Sequence, residues 1–307
     1  MRSTGTLLCL ASAVAFGAMA IFGKLAYDDG ATVGTLLAVR FTIAAVLFWL
    51  IVAATGAAGR LRTLPRRDVC LALALGGVGY SAQAGAYFTA LGRLDASLLS
   101  LLLYTFPAIV TVAAIALGRE RASRRRGGAL ALSSAGLFLV LAGASSGALD
   151  PLGTALGLAA ACVYSVYILI SAGVAERLGP LLLSALVCTG AATTLTLGSA
   201  AAGDLHVERV SAGGLGWLAA IAVVSTVGAV SLFFAGLRRV GPTTASILST
   251  AEPVTTVALA FLVFGESLGA VQLAGGALIL GAVLVLSAPA RSALAFRGGL
   301  RWRSSIS

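Results

Sequence analysis

Apolar positions in this chain fall in long unbroken runs, and the short stretches between them hold most of the charge. The runs lie at approximately 5–27, 31–54, 68–91, 94–117, 127–145, 151–173, 180–202, 212–236, 241–264 and 268–288. None alternates with the period of two expected of a barrel strand, and each exceeds the about 9–11 residues that such a strand needs. As helices rising about 1.5 Å per residue, runs of roughly 18–25 residues cross an apolar layer of about 30 Å. The pattern predicts an all-α membrane protein with ten transmembrane helices, because a helix satisfies its own backbone in lipid.

Composition agrees. Hydrophobic residues are 59% of the chain, charged residues only 10%, and the mean hydropathy is +1.02. Soluble domains carry about 25% charged residues, so two soluble domains are excluded as a reading of 307 residues. The first run opens like a signal peptide, with Arg2 ahead of LLCLASAVAFGAMA. It continues through IFGKLA, beyond the about 7–15 apolar residues of a cleaved core, and is expected to stay as a helix. Cys9, Cys70, Cys162 and Cys188 lie in or beside apolar runs without CxxC spacing. They read as small buried thiols, and neither a metal site nor a cofactor is implied.

The net charge of +10 is distributed with a strong bias. With the first terminus inside, the inner side holds Arg2, Arg60, Arg62, Arg66, Arg67, Arg119, Arg121, Arg124, Arg125, Arg126, Arg177, Arg238 and Arg239. It also holds Arg291, Arg297, Arg301 and Arg303 of the tail, whereas the outer side holds only Arg93 and Arg209. The positive-inside rule then expects both termini in the cytoplasm and a multi-pass protein of the cell membrane. The arginine clusters need no partner beyond anionic lipid headgroups, so nucleic acid is not expected as a partner. A homodimer is left open.

The segment from Tyr87 to Glu120 aligns without gaps with that from Phe233 to Glu266. Pro107 meets Pro253, Ser100 meets Ser246 and Glu120 meets Glu266. The expected organisation is a first repeat over 1–146, a second over 147–290 and a basic cytoplasmic tail over 291–307. Five helices per repeat is an odd number, so the second repeat enters the membrane inverted, an architecture that places a site at the repeat interface. Pro151, Pro180 and Pro242 fall at helix starts, where a missing N–H costs little. Pro107 and Pro253 fall inside runs as an aligned pair, so they are read as gating kinks that free carbonyls at Leu103 and Ser249.

Several stretches resemble a known family. AEPVTTVALAFLVFGESLGAVQLAGGALILGAVLVLS is similar to the end of an EamA repeat of the drug/metabolite transporter superfamily, and TFPAIVTVAAIALGRERASRRRGGALALSSAGLFLVL is a weaker copy. FGAMAIFGKLAYDDGATVGTLLAVRFTIAAVLF resembles the first two helices of that repeat, with Lys24 and Arg40 at its basic positions. Phe16 stands where the family often has tryptophan, and Arg119 where it has glycine. The resemblance implies ten helices in two inverted repeats, cytoplasmic termini and a central cavity for a small metabolite.

The ionisable residues inside runs are Lys24, Arg40 and Glu252. Lys24, also a candidate for substrate binding or coupling, is near a helix end and can snorkel, whereas Arg40 and Glu252 lie about 15 Å deep at 1.5 Å per residue. Either costs about 2.5–3.5 kcal/mol unpaired, so both are candidates for substrate binding or coupling, with a static Arg40–Glu252 packing pair as the alternative. Tyr80, Gln83, Tyr87 and Tyr104 in the first half, and Tyr164 and Tyr167 in the second, are further candidates to line a cavity. The function expected is secondary transport of a small molecule by alternating access, with a proton as a candidate coupling ion. The family resemblance implies export of amino acids or related solutes, with cationic or multidrug compounds as the alternative. No Walker A stretch is present, which argues against an ATP-driven pump. An intramembrane enzyme lacks an assembled acid–base–nucleophile set, since the lone His206 sits in a loop with Asp204 and Glu208. A channel is the other rival, and matched prolines in inverted repeats favour alternating access over it.

Overall fold

A computed structural model of the chain describes residues 2–118, 122–143 and 150–287. Arg119, Glu120, Arg121 and the basic tail 291–307 lie outside the described residues. In the first half, α1 (Arg2–Gly17) and α2 (Met19–Asp28) form one bent rod and α3 (Val33–Ala54) the next. α4 (Arg66–Ala74) and α5 (Ser81–Leu91) join through a π-helical turn at Leu75–Tyr80. α6 (Ala96–Leu103) and α7 (Phe106–Ala116) form a broken rod, followed by α8 (Arg124–Ala142). The second half comprises α9 (Pro151–Leu178), α10 (Pro180–Ala201), α11 (Ala212–Ala222) and α12 (Ala229–Val240), the last two joined by a π-helical turn at Val223–Gly228. It ends with α13 (Pro242–Ser249), α14 (Ala251–Phe264) and α15 (Ala270–Ser287).

Among the described residues every apolar run is mainly helical, but the rods are not uniform. Among the described residues seven are long and apolar enough to cross a membrane, and Ala251–Phe264 and Ala270–Leu286 are shorter apolar helices. The run at 241–264 is divided at Thr250, and α8 opens on Arg124, Arg125 and Arg126, so neither reads as a long uninterrupted span. Leu7, Val78, Phe138 and Leu262 face outward and stay exposed, as a lipid-facing surface requires. Local signals set the ends of the rods. Thr32, Ser123, Asp150 and Ser211 cap α3, α8, α9 and α11, each accepting a backbone N–H of the first turn. Gly265 closes α14 with φ +69°, a conformation that a residue with a Cβ rarely adopts.

The two halves keep the same register. The offset that aligns Tyr87 with Phe233 carries Arg66 onto Ala212, Ala96 onto Pro242, Leu103 onto Ser249 and Arg124 onto Ala270, so α4, α6 and α8 start where α11, α13 and α15 start. Both π-helical turns have a hydroxyl bonded five residues back, Ser81 Oγ to the Gly76 carbonyl and Thr226 Oγ1 to the Ile221 carbonyl, each at 2.9 Å. The prolines correct the sequence expectation. Pro107 and Pro253 do not kink a helix interior but sit in the first turns of α7 and α14, just after the chain has broken. There the missing N–H is one that the helix start would leave unpaired in any case.

Packing relies on glycine. A Cβ on Gly76 would lie 2.0 Å from the Val187 carbonyl, and one on Gly190 would lie 2.1 Å from that of Leu73, so α10 rides directly on the backbone of the third rod. Gly136 of α8 and Gly275 of α15 meet in the same way, each with a would-be Cβ 2.6 Å from the other's carbonyl. Close backbone approach of this kind substitutes for the hydrophobic drive that is absent between helices in lipid. All four cysteines are free. Cys9 and Cys188 are buried as expected, but Cys70 and Cys162 are exposed on outward helix faces.

Candidate functional site

The breaks at Tyr104–Thr105 and Thr250 bring the two broken rods together. Glu252 lies in the first turn of α14, where the helix dipole favours a negative charge. Facing it from α6, the Tyr104 hydroxyl is 2.7 Å from the Ser249 carbonyl and 3.0 Å from Glu252 Oε2. The Ser249 carbonyl expected to be free is therefore occupied by a group from the other half. A phenol has one proton for these two acceptors. Either it donates to Ser249 and the acid form of Glu252 donates to the phenol oxygen, or it donates to ionised Glu252 and the carbonyl contact is lost. The α1–α2 junction closes a third side, with Thr256 Oγ1 donating to the Gly17 carbonyl at 2.9 Å.

Aromatic rings connect this carboxylate to Arg40. Tyr104 packs on Phe106 (5.8 Å between centroids), Phe106 on Tyr164 (4.9 Å), and Tyr164 stacks on Tyr167 (6.2 Å). Tyr167 meets Tyr80 at 5.4 Å, and Tyr80 meets Phe41 at 5.3 Å. Glu252, Tyr80, Tyr164 and Tyr167 are half-buried where these helices meet. Arg40, only 2% exposed, has its guanidinium 4.8 Å from the Phe41 ring centre and 5.3 Å from that of Phe88. Its Nε donates to Thr226 Oγ1 at 3.0 Å, on the π-helical turn of the second half. The Tyr80 hydroxyl lies beside the guanidinium as a further polar partner.

No ion pair joins Arg40 to Glu252 among the described residues, so the two do not form the static pair considered from sequence. A buried charge without a counter-ion costs several kcal/mol, and cation–π contacts return about 2 kcal/mol when desolvated. Tyr87 belongs to the same cluster through Phe88, with ring centres 5.3 Å apart. Gln83 is buried on the same helix, between Tyr80 and Tyr87 in sequence.

Lys24 is placed elsewhere. Its Nζ is 2.7 Å from Glu266 Oε1 and 3.9 Å from Asp95, beside a cleft of about 440 Å³ at one end of the bundle. Glu266 also accepts the Ala96 and Ser97 N–H groups at 3.1 and 3.0 Å and the Ser97 hydroxyl at 3.0 Å, which ties the α14–α15 loop to the start of α6. Burial pushes the Glu266 carboxyl upward, but Lys24 and the two N–H groups outweigh it and hold the carboxyl below the ordinary range. This latch is present above the ordinary carboxylate pKa and is lost as pH falls through the lowered value. Asp68 and Arg177 form a bidentate pair at 2.9 and 2.8 Å that joins α4 to α9. Sequence reading gave roles to neither of these devices, nor to Thr226, Phe88 or Phe106. The repeated Glu120 and Glu266 were the one signal that could have pointed to the latch. Among the described residues, no three His, Cys, Asp or Glu side chains gather as a metal site.

With this geometry in place, comparison with known proteins decides the class. Residues 3–142 and 151–288 each match the EamA-like transporter family. The chain belongs to that family. It is thereby a member of the drug/metabolite transporter superfamily, and the match falls once on each half, as the internal repeat requires. A curated relative of this EamA-like chain, the uncharacterized transporter YcbK of Bacillus subtilis (strain 168), is 29% identical over 288 residues, covering 89% of each chain. The crystal structure of another protein superposes with a TM-score of 0.64 at 20% identity, over 98% of this chain and all of that one, a likeness of fold. EamA-like membership and the apolar exterior make this a multi-pass membrane transporter.

Proposed function

We propose that this protein is a secondary transporter of the cell membrane that moves a small metabolite by alternating access. In this reading ten helices form two inverted five-helix repeats, with both termini cytoplasmic. The observation that carries it is the contact of Tyr104 with Ser249 and Glu252, where a side chain from the broken helix of one half holds both the break and the carboxylate of the other. Helix pairing supports a two-fold relation of the halves. α1 packs on α12 as α9 packs on α5, while α3 pairs with its counterpart α10 and α8 with α15. Exchanging the halves leaves this set of pairs unchanged, as a two-fold relation between the repeats demands, and the odd number of helices per repeat makes that relation an inversion. Glu252 is the coupling carboxylate, taking up a proton on one side and releasing it on the other, and Pro107 and Pro253 keep the breaks from healing into straight helices. The transported class is amino acids or related solutes, moved outward.

Purified protein in liposomes, given a panel of labelled amino acids, other organic acids and organic cations, is expected to move members of the acid groups faster under a pH gradient than without one. Movement of cations alone would favour the multidrug alternative, and no gradient-stimulated movement of any member would count against the transport reading.

A further inference from the structure

We infer that Arg40 is the seat for a carboxylate carried by the transported solute, a deepening that rests on the transport reading above. The guanidinium is held rather than loose. Phe41 and Phe88 rings lie at 4.8 and 5.3 Å from it, and Nε is fixed on Thr226 Oγ1 at 3.0 Å. That hydroxyl spends its own proton on the Ile221 carbonyl, so it can only accept from Arg40, and the π-helical turn therefore sets the angle of the guanidinium. π-helical turns inside α-helices occur often at functional sites.

The hydrogen-bonding capacity of the group is not used up. A guanidinium presents five N–H donors in a planar fork that matches a carboxylate at two points. Among the described residues Nε is taken by Thr226 Oγ1 and the Tyr80 hydroxyl is a further polar partner beside the fork, which together fall short of its five donors. The interior carboxylate, Glu252, is instead engaged by Tyr104. The residue is only 2% exposed, so bulk water does not solvate the charge. A cation fixed in this way, with donors to spare and no anion beside it, is a receptor for an anion brought in by the ligand. Half-buried Tyr80 beside it, and the ring track toward Glu252, would then receive the apolar body of the solute. Planarity and single charge select a carboxylate over a bulkier dianion.

The test uses phenylacetate and its uncharged isostere phenylacetamide as probes of the full-length protein in detergent, read by the shift of thermal unfolding with probe concentration. The wild type should respond to the acid at concentrations about 10–100-fold below those needed for the amide, the range of one charge-assisted bidentate contact. Arg40→Met should lose that preference and, without probe, should unfold no earlier than wild type, because it removes an unpaired buried charge. Arg40→Lys keeps the charge but not the fork, and should show a reduced preference. Equal responses to acid and amide in the wild type overturn the seat, as does a preference retained in Arg40→Met. Earlier unfolding of Arg40→Met without probe also overturns it, by showing the arginine to be a packing element. This readout is binding, so the seat can fail while gradient-driven movement in liposomes stands, and the reverse result is equally visible.

Discussion

Replacing Glu252 by glutamine is expected to reduce pH-gradient-driven transport to the level of protein-free liposomes while leaving the protein folded. Glutamine keeps the shape of the side chain and can still meet the Tyr104 hydroxyl, so the contact between halves survives. What it loses is the ability to exchange a proton. Glu252 lies at the crossing of both breaks, and among the described residues no second carboxylate contacts Tyr104 to take over that role. Downhill exchange of solute without a gradient should persist in the variant, which separates loss of coupling from loss of the site. Tyr104→Phe should give a milder defect, because it removes the link to the Ser249 carbonyl but spares the carboxylate. Wild-type gradient dependence in Glu252→Gln would assign coupling to another group.

Alanine at Gly76 or Gly190 should prevent stable folding. The added methyl would sit 2.0 Å from the Val187 carbonyl in one case and 2.1 Å from that of Leu73 in the other, and both obstacles are backbone. No side-chain rotation relieves such an overlap, so α10 must move off the third rod and carry Cys188 and the wall beside Tyr80 with it. Overpacking usually costs about 1–3 kcal/mol, and backbone collisions fall at or beyond the upper end. Yield of monodisperse protein and the unfolding temperature in detergent both measure this. Gly85→Ala and Gly216→Ala are the controls, since a Cβ at either meets nothing within 4 Å and alanine suits a helix better than glycine. Normal stability of Gly76→Ala and Gly190→Ala would refute the close approach.

The helices were legible in the sequence because each apolar run is long and continuous, and lipid leaves the backbone no better choice. The internal repeat was legible because Pro107, Ser100 and Leu91 keep their spacing to Pro253, Ser246 and Leu237. The consequence of the prolines was misread. Sequence places them inside runs, but only the backbone shows that Thr105 and Thr250 have already interrupted the helix ahead of them. The candidate site was legible as a set of residue types. Tyr80, Tyr104, Tyr164, Tyr167, Arg40 and Glu252 are polar groups that apolar spans do not retain cheaply, and the fold gathers them. Their connections were not legible. Phe106 and Phe41 link the tyrosines, yet a phenylalanine in an apolar run carries no signal of its own. Lys24 was grouped with Arg40 because both are basic residues in spans, but it is four residues from the end of α2 and near enough to the boundary to pair with Glu266.

In the proposed architecture two oppositely oriented halves meet at Glu252, and their orientation can be read by labelling single cysteines. With Cys9, Cys70, Cys162 and Cys188 replaced by serine, a single cysteine is placed either at Ser123, ahead of α8, or at Ser267, ahead of α15. These two positions occupy nearly equivalent places in the repeats, so a parallel arrangement puts both on one face of the membrane. A membrane-impermeant thiol reagent applied to intact cells and to inverted vesicles should label the cysteine at Ser123 only from the cytoplasmic side and that at Ser267 only from outside. Labelling of both from the same side would contradict the inverted architecture and the alternating-access site built on it.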